Sequence, residues 1–178
     1  MTKRLSLLGG LLALLMLVSA CAPTAHGSMT ATDVPYDAFF IDSMIEHHQG
    51  AVEMAEQALA QAEQPELRAL AESILADQKA EIAQMQSWRQ TWYPELSPTE
   101  GMHMDMGPME VAEDAAKPYD LRFIEAMIPH HEGAITMAQD ALENATRTEI
   151  RELAQAIIAA QEAEIAQMKQ WRLSWYGE

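Results

Sequence analysis

Residues 127–138 read M-I-P-H-H-E-G-A-I-T-M-A, and residues 44–55 read M-I-E-H-H-Q-G-A-V-E-M-A. The same histidine pair therefore stands twice in the same surroundings, as His47–His48 and His130–His131, at an offset of 83 residues. From Tyr36 and Tyr119 to Tyr93 and Tyr176 the two copies align without a gap, and more than half of the aligned positions are identical. That is an internal duplication, with repeat one at 36–93, repeat two at 119–176 and a connection at 94–118.

Each copy carries two helical patterns. In the first, Phe40, Met44, His47, Ala51, Met54 and Ala58 recur in steps of three and four, beside a second stripe of Ile41, Ile45, His48, Val52, Ala55 and Leu59. Two adjacent stripes make one wide apolar face. Glu46, Gln49, Glu53 and Gln57 fall on the other side. Pro65 suits the first turn of a second helix, whose apolar side is Leu67, Leu70, Ala71, Ile74, Gln78, Ile82, Met85, Trp88 and Trp92, and Pro94 should stop it. In the second copy, Thr146 and Glu149 have capping-box spacing. No strand signal occurs. Two hairpins with one apolar side each bury those sides best against each other, so the pattern predicts an all-α four-helix bundle over 35–178 with pseudo-twofold symmetry. Helices of ~27 residues would be ~40 Å long.

The N-terminus reads differently. Lys3 and Arg4 precede an apolar run from Leu5 to Val18, and Val18-Ser19-Ala20-Cys21 resembles a bacterial lipobox. Residues 1–20 are expected to be a lipoprotein signal peptide, Cys21 the lipidated residue, and 21–34 a flexible tether. Cys21 is the sole cysteine, so neither an internal disulfide nor a thiolate cluster is available. Export with a lipid anchor in the bacterial cell envelope follows, at the outer membrane facing the periplasm if the cell is Gram-negative. Lys3 and Arg4 are the only charges in residues 1–20, so the mature chain has 9 basic against 27 acidic side chains, a formal −18. That balance excludes nucleic acid as a partner and leaves the membrane reachable only through the anchor.

Imidazole beside thioether points to a soft metal ion. His47 and His130 share a stripe with methionines and are the first candidate ligands. His48 and His131 lie about 100° away on a straight helix and are conditional ones. Met44, Met54 and Met85, with their copies Met127, Met137 and Met168, supply sulfur. A di-iron bundle would place Glu-x-x-His at this spacing, but here the sequence has Met44-x-x-His47 and Met127-x-x-His130. Thioether with imidazole favours Cu(I), admits Cu(II) at histidine-rich spots, and makes Ag(I) a mimic. Gln78 and Gln161 could orient a histidine, and Trp88 and Trp171 could cover the ion. The connection contains Met102, His103, Met104, Met106 and Met109, a second place for metal capture. Pro129 interrupts the third helix beside His130 and is expected to turn the imidazoles, whereas repeat one has Glu46 there.

The pattern M-I-P-H-H-x-G-A-x-x-M-A, followed by Q-x-x-E-I-x-x-M-x-x-W, resembles the DUF305 family over both copies. The resemblance implies a ferritin-like four-helix bundle built from two duplicated hairpins and, from the family's exported copper-binding members, a role in copper binding and tolerance. The family's histidines fall on His47, His48, His130 and His131, and its methionines on Met44, Met54, Met85, Met127, Met137 and Met168. The first copy departs from the pattern at Glu46, where proline is usual.

The leading expectation is a non-enzymatic, lipid-anchored protein that buffers or transfers Cu(I), with a copper-transfer protein as a further partner. An oxidase of Cu(I) or Fe(II), and a structural or partner-binding lipoprotein without metal, are the alternatives. Histidine ligation predicts that affinity weakens as pH falls toward 5.

Overall fold

The structure is a computed structural model that describes residues 34–99 and 106–177. The leader, Cys21, most of the tether, and Met102, His103 and Met104 lie outside the described residues. Four helices account for the fold: α1 (Tyr36–Gln61), α2 (Pro65–Trp92), α3 (Tyr119–Asn144) and α4 (Thr148–Trp171), with α4 running into a π-helical stretch at Arg172–Tyr176. The all-α expectation holds, and no strand occurs among the described residues. Pro65 opens α2, and α2 ends at Trp92, two residues before Pro94.

The two hairpins are α1–α2 and α3–α4, and α1 packs on α3 between them. Packing divides the core into two apolar clusters, each drawn from both hairpins. One holds Met54, Leu67, Ile74, Phe123, Met127 and Met168. The other holds Phe40, Met44, Met85, Met137, Ile150 and Ile157. The first half of α1 thus shares a cluster with the second half of α3, and the reverse, which is an antiparallel crossing. Between the clusters lies a polar layer of His47, His48, Gln78, His130, His131 and Gln161, all buried.

The four helix starts carry no side-chain cap of their own. The expected Thr146/Glu149 box does not form, because α4 begins at Thr148 and Thr146 faces the other hairpin. Asp37 of α1 accepts from the Thr146 and Arg147 amides at 2.9 and 3.2 Å, and from the Thr146 hydroxyl. Asp120 of α3, its repeat partner, accepts from the Glu63 and Gln64 amides at 2.8–3.2 Å. Each hairpin's first acid therefore closes the other hairpin's turn, a reciprocal latch in which a buried carboxylate serves the turn's backbone donors.

Candidate metal centre

Helical phase brings all four histidines to mid-height, and none has solvent exposure. His47 and His130 meet at the crossing of α1 and α3, with ring centroids 3.8 Å apart. His48 and His131 turn back toward the second helix of their own hairpins. There His48 Nε2 lies 2.6 Å from Glu81 Oε2, and His131 Nε2 lies 2.7 Å from Glu164 Oε2. Both carboxylates are partly exposed, so each reaches from the surface to a sealed imidazole.

These partners assign protons. A carboxylate or a carbonyl only accepts, so the imidazole nitrogen beside it must donate. His48 and His131 therefore present an N–H at Nε2. His47 does the same, because its Nε2 lies 3.0 Å from the His130 carbonyl and 3.1 Å from that of Met106. In the neutral form of such a ring the lone pair is left at Nδ1. Nδ1 of all four histidines is buried without a hydrogen-bond partner. Native interiors rarely leave polar atoms in that state.

Ring spacing says where a cation fits. Two imidazoles bound in line to one ion, with metal–nitrogen bonds of about 2 Å, put their ring centres roughly 6 Å apart. His47 and His48 are 6.2 Å apart, and His130 and His131 are 6.1 Å apart. The 3.8 Å between His47 and His130 is too short for an intervening ion. Among these pairs, that spacing is met within each repeat, between consecutive histidines.

Burial also keeps the central rings neutral. It holds His47 down at about 3 and His130 at about 2, with the neighbouring histidines opposing charge as well. Protons therefore compete less for these two rings than for an exposed imidazole.

Other residues named from sequence fall into place unevenly. Met44, Met85 and Met137 lie together on one side of the polar layer, with Met106 against them. Met54, Met127 and Met168 lie on the other. Each sulfur group thus takes two methionines from one hairpin and one from the other. Gln78 and Gln161 are buried with unpartnered amide oxygens and bond no histidine. The orienting role belongs to Glu81 and Glu164, one turn further along the same helices. That role was visible in sequence only as a glutamate three residues after each glutamine. Trp88 stacks on Trp92 and Trp171 on Trp175, both at 5.0 Å, near the ends of α2 and α4. Pro129 sits within a continuous α3. Among the described residues no three His, Cys, Asp or Glu side chains come together as a metal site.

Known structures share this architecture. CopM in its Cu(I)-bound form is 44% identical, with 79% of this chain and 97% of that chain covered and a TM-score of 0.68. CopM in its Cu(II)-bound form gives the same values, and its silver-bound form is 42% identical over the same shares with a TM-score of 0.67. A DUF305 protein from Streptomyces coelicolor, whose description proposes secretion, is 28% identical over 75% of this chain and 88% of that one, with a TM-score of 0.64. No curated protein matches the chain. The family model described as "Domain of unknown function (DUF305)" matches residues 37–172, and the chain belongs to the DUF305 family.

Proposed function

We propose that this protein binds Cu(I) outside the cytoplasm, one ion between the consecutive histidines of each repeat, and stores it or passes it on. The observation that carries this reading is the set of four buried, unpartnered Nδ1 atoms on rings spaced for in-line coordination. Cu(I) accepts low coordination by imidazole, and the methionine clusters on either side of the polar layer provide soft sulfur nearby. Glu81 and Glu164 hold the second histidine of each pair in register, as carboxylates do for metal-bound imidazoles. Similarity to CopM, solved with Cu(I), Cu(II) and silver, supports copper as cargo and silver as a mimic. Binding rather than catalysis suits four rings sealed from solvent.

The finer placement rests on sequence. The leader and Cys21 support export with a lipid anchor, the envelope location given above, and the Met102–Met109 stretch supports capture of copper ahead of the core. No helix among the described residues is long and apolar enough to cross a membrane. A copper-transfer protein would be the partner.

Anaerobic Cu(I) titration against a competing chelator tests the reading. The wild type should take up two tight equivalents. His47→Gln/His48→Gln and His130→Gln/His131→Gln should each retain one, and the fourfold variant none. Two tight equivalents remaining in the fourfold variant would sink the core sites and leave the methionines alone.

A further inference from the structure

We propose that the Met106–Met109 segment is a strap that makes the two copper sites unequal, because it gives His47 a second carbonyl acceptor and gives His130 none. This rests on the copper reading above. An imidazole that binds metal through Nδ1 carries its proton on Nε2, and the acceptor for that N–H fixes the tautomer and raises ligand basicity. The outer histidines do not differ in this respect, since His48 and His131 each hold a glutamate at nearly the same distance. The difference is confined to the central rings.

His47 Nε2 has two carbonyl acceptors, one of them from Met106 of the strap. His130 faces the His47 carbonyl in return, yet without hydrogen-bonding geometry, and neither of its ring nitrogens has a partner. What stands beside it is Met109. A Cβ placed on Gly50 would lie 3.1 Å from Met109 Sδ and 3.3 Å from His130 Nε2, so sulfur and nitrogen share the space that this glycine leaves open on α1. Thioether sulfur is a weak acceptor. The strap is seated by a second glycine. Gly107 has φ +69°, and a Cβ there would fall 2.6 Å from the Pro129 carbonyl and 2.8 Å from His130 backbone atoms. One connection cannot serve two pseudo-equivalent rings alike, so the duplication is broken at its centre.

Two backgrounds isolate the sites: His130→Gln/His131→Gln leaves repeat one, and His47→Gln/His48→Gln leaves repeat two. In Cu(I) competition titrations repeat one should bind about tenfold more tightly, the size of effect that outer partners of metal-bound imidazoles have. Met109→Leu, which adds no acceptor, should leave repeat two weak. Met109→Gln, which offers an amide carbonyl, should raise it toward repeat one. Neither should move repeat one appreciably. Equal affinities, or Met109 variants that shift both backgrounds together, overturn the proposal. Nitrogen-15 imidazole spectra of the metal-free protein provide a readout that survives failure of the copper reading. His47 should appear as the Nε2–H tautomer, and His130 should shift toward it only in Met109→Gln. Identical tautomer states for both rings, unmoved by Met109→Gln, would also overturn it.

Discussion

Tyr36 donates to Asp140 at 2.6 Å, while its repeat counterpart Tyr119 has a buried hydroxyl with no partner. Arg89 grips Asp42 and the carbonyls of Tyr93, Leu96 and Ser97, which ties the start of the connection to hairpin one. Arg172, its counterpart, leaves Nε unpartnered, and Glu125, in the place of Asp42, pairs with Lys117. Arg147 of hairpin two lies over Trp92 of hairpin one at 4.0 Å, whereas the repeat counterparts of this pair are Gln64 and Trp175, which include no cation. Yet the latching acids, the histidine–glutamate pairs and the six core methionines are the same in both halves. The difference teaches that residues needed by the crossing are held in common, and that divergence lies at the rim, part of it where the single connection meets each half differently.

The largest effect should come from the shared centre. His47 and His130 are held neutral by burial, at about 3 and about 2, against an ordinary value of 6.5. Above pH 6.5 neither state of the protein protonates them, so their contribution to stability is complete. As pH falls below 6.5 the unfolded chain takes up protons that the fold refuses, at a cost of about 1.4 kcal/mol per pH unit for each ring. Between pH 6.5 and 4.5 the metal-free protein should lose on the order of 5 kcal/mol from the two rings together, read by urea unfolding. His47→Phe and His130→Phe should each flatten that slope by about half, and no change in slope would mean that the rings are charged or exposed.

The reciprocal latch comes next. Asp37→Ala and Asp120→Ala should each cost about 3 kcal/mol, because each removes several hydrogen bonds to a buried carboxylate. Similar losses in thermal or denaturant unfolding are the expected sign of equal halves, and a loss confined to one would show the latch to be one-sided. Gly107→Ala forces a left-handed φ on alanine and drives a methyl group into the backbone of α3, so it should cost at least about 1 kcal/mol. It should also release the strap, seen as a shifted His47 Nε2 resonance while the His130 carbonyl keeps the tautomer. The smallest contrast is at the rim. Tyr36→Phe should cost about 1 kcal/mol, whereas Tyr119→Phe should be neutral or mildly stabilising, since it removes an unsatisfied buried hydroxyl. Equal effects in unfolding experiments would erase the asymmetry there.

Helix number, the hairpin pairing and the burial of the histidine face were legible because periodicity is a property of the chain. Steps of three and four put Phe40, Met44, His47, Ala51 and Met54 on one face whatever lies opposite. The duplication likewise announced two related sites. The chemistry of those sites was only half legible. Sequence spacing treated His48 and His131 as conditional ligands because a straight helix points neighbours about 100° apart, whereas in the fold consecutive rings reach the spacing of an in-line pair once each Nε2 is tied off. Gln78 and Gln161 drew attention as the buried polar residues of their stripe. Glu81 and Glu164 do the orienting, because a long carboxylate at the edge of the interface can reach inward.

What the sequence determined by itself was local: the helices, their apolar faces, and a soft, thiol-free set of histidine and methionine donors. What only tertiary structure decided was which groups meet. Proton positions on the imidazoles depend on carbonyls and carboxylates from other helices, and the capping acids come from the opposite hairpin. The inequality of His47 and His130 arises because a single connection must cross a twofold centre, and no pattern along one chain encodes the side of that centre on which it lands.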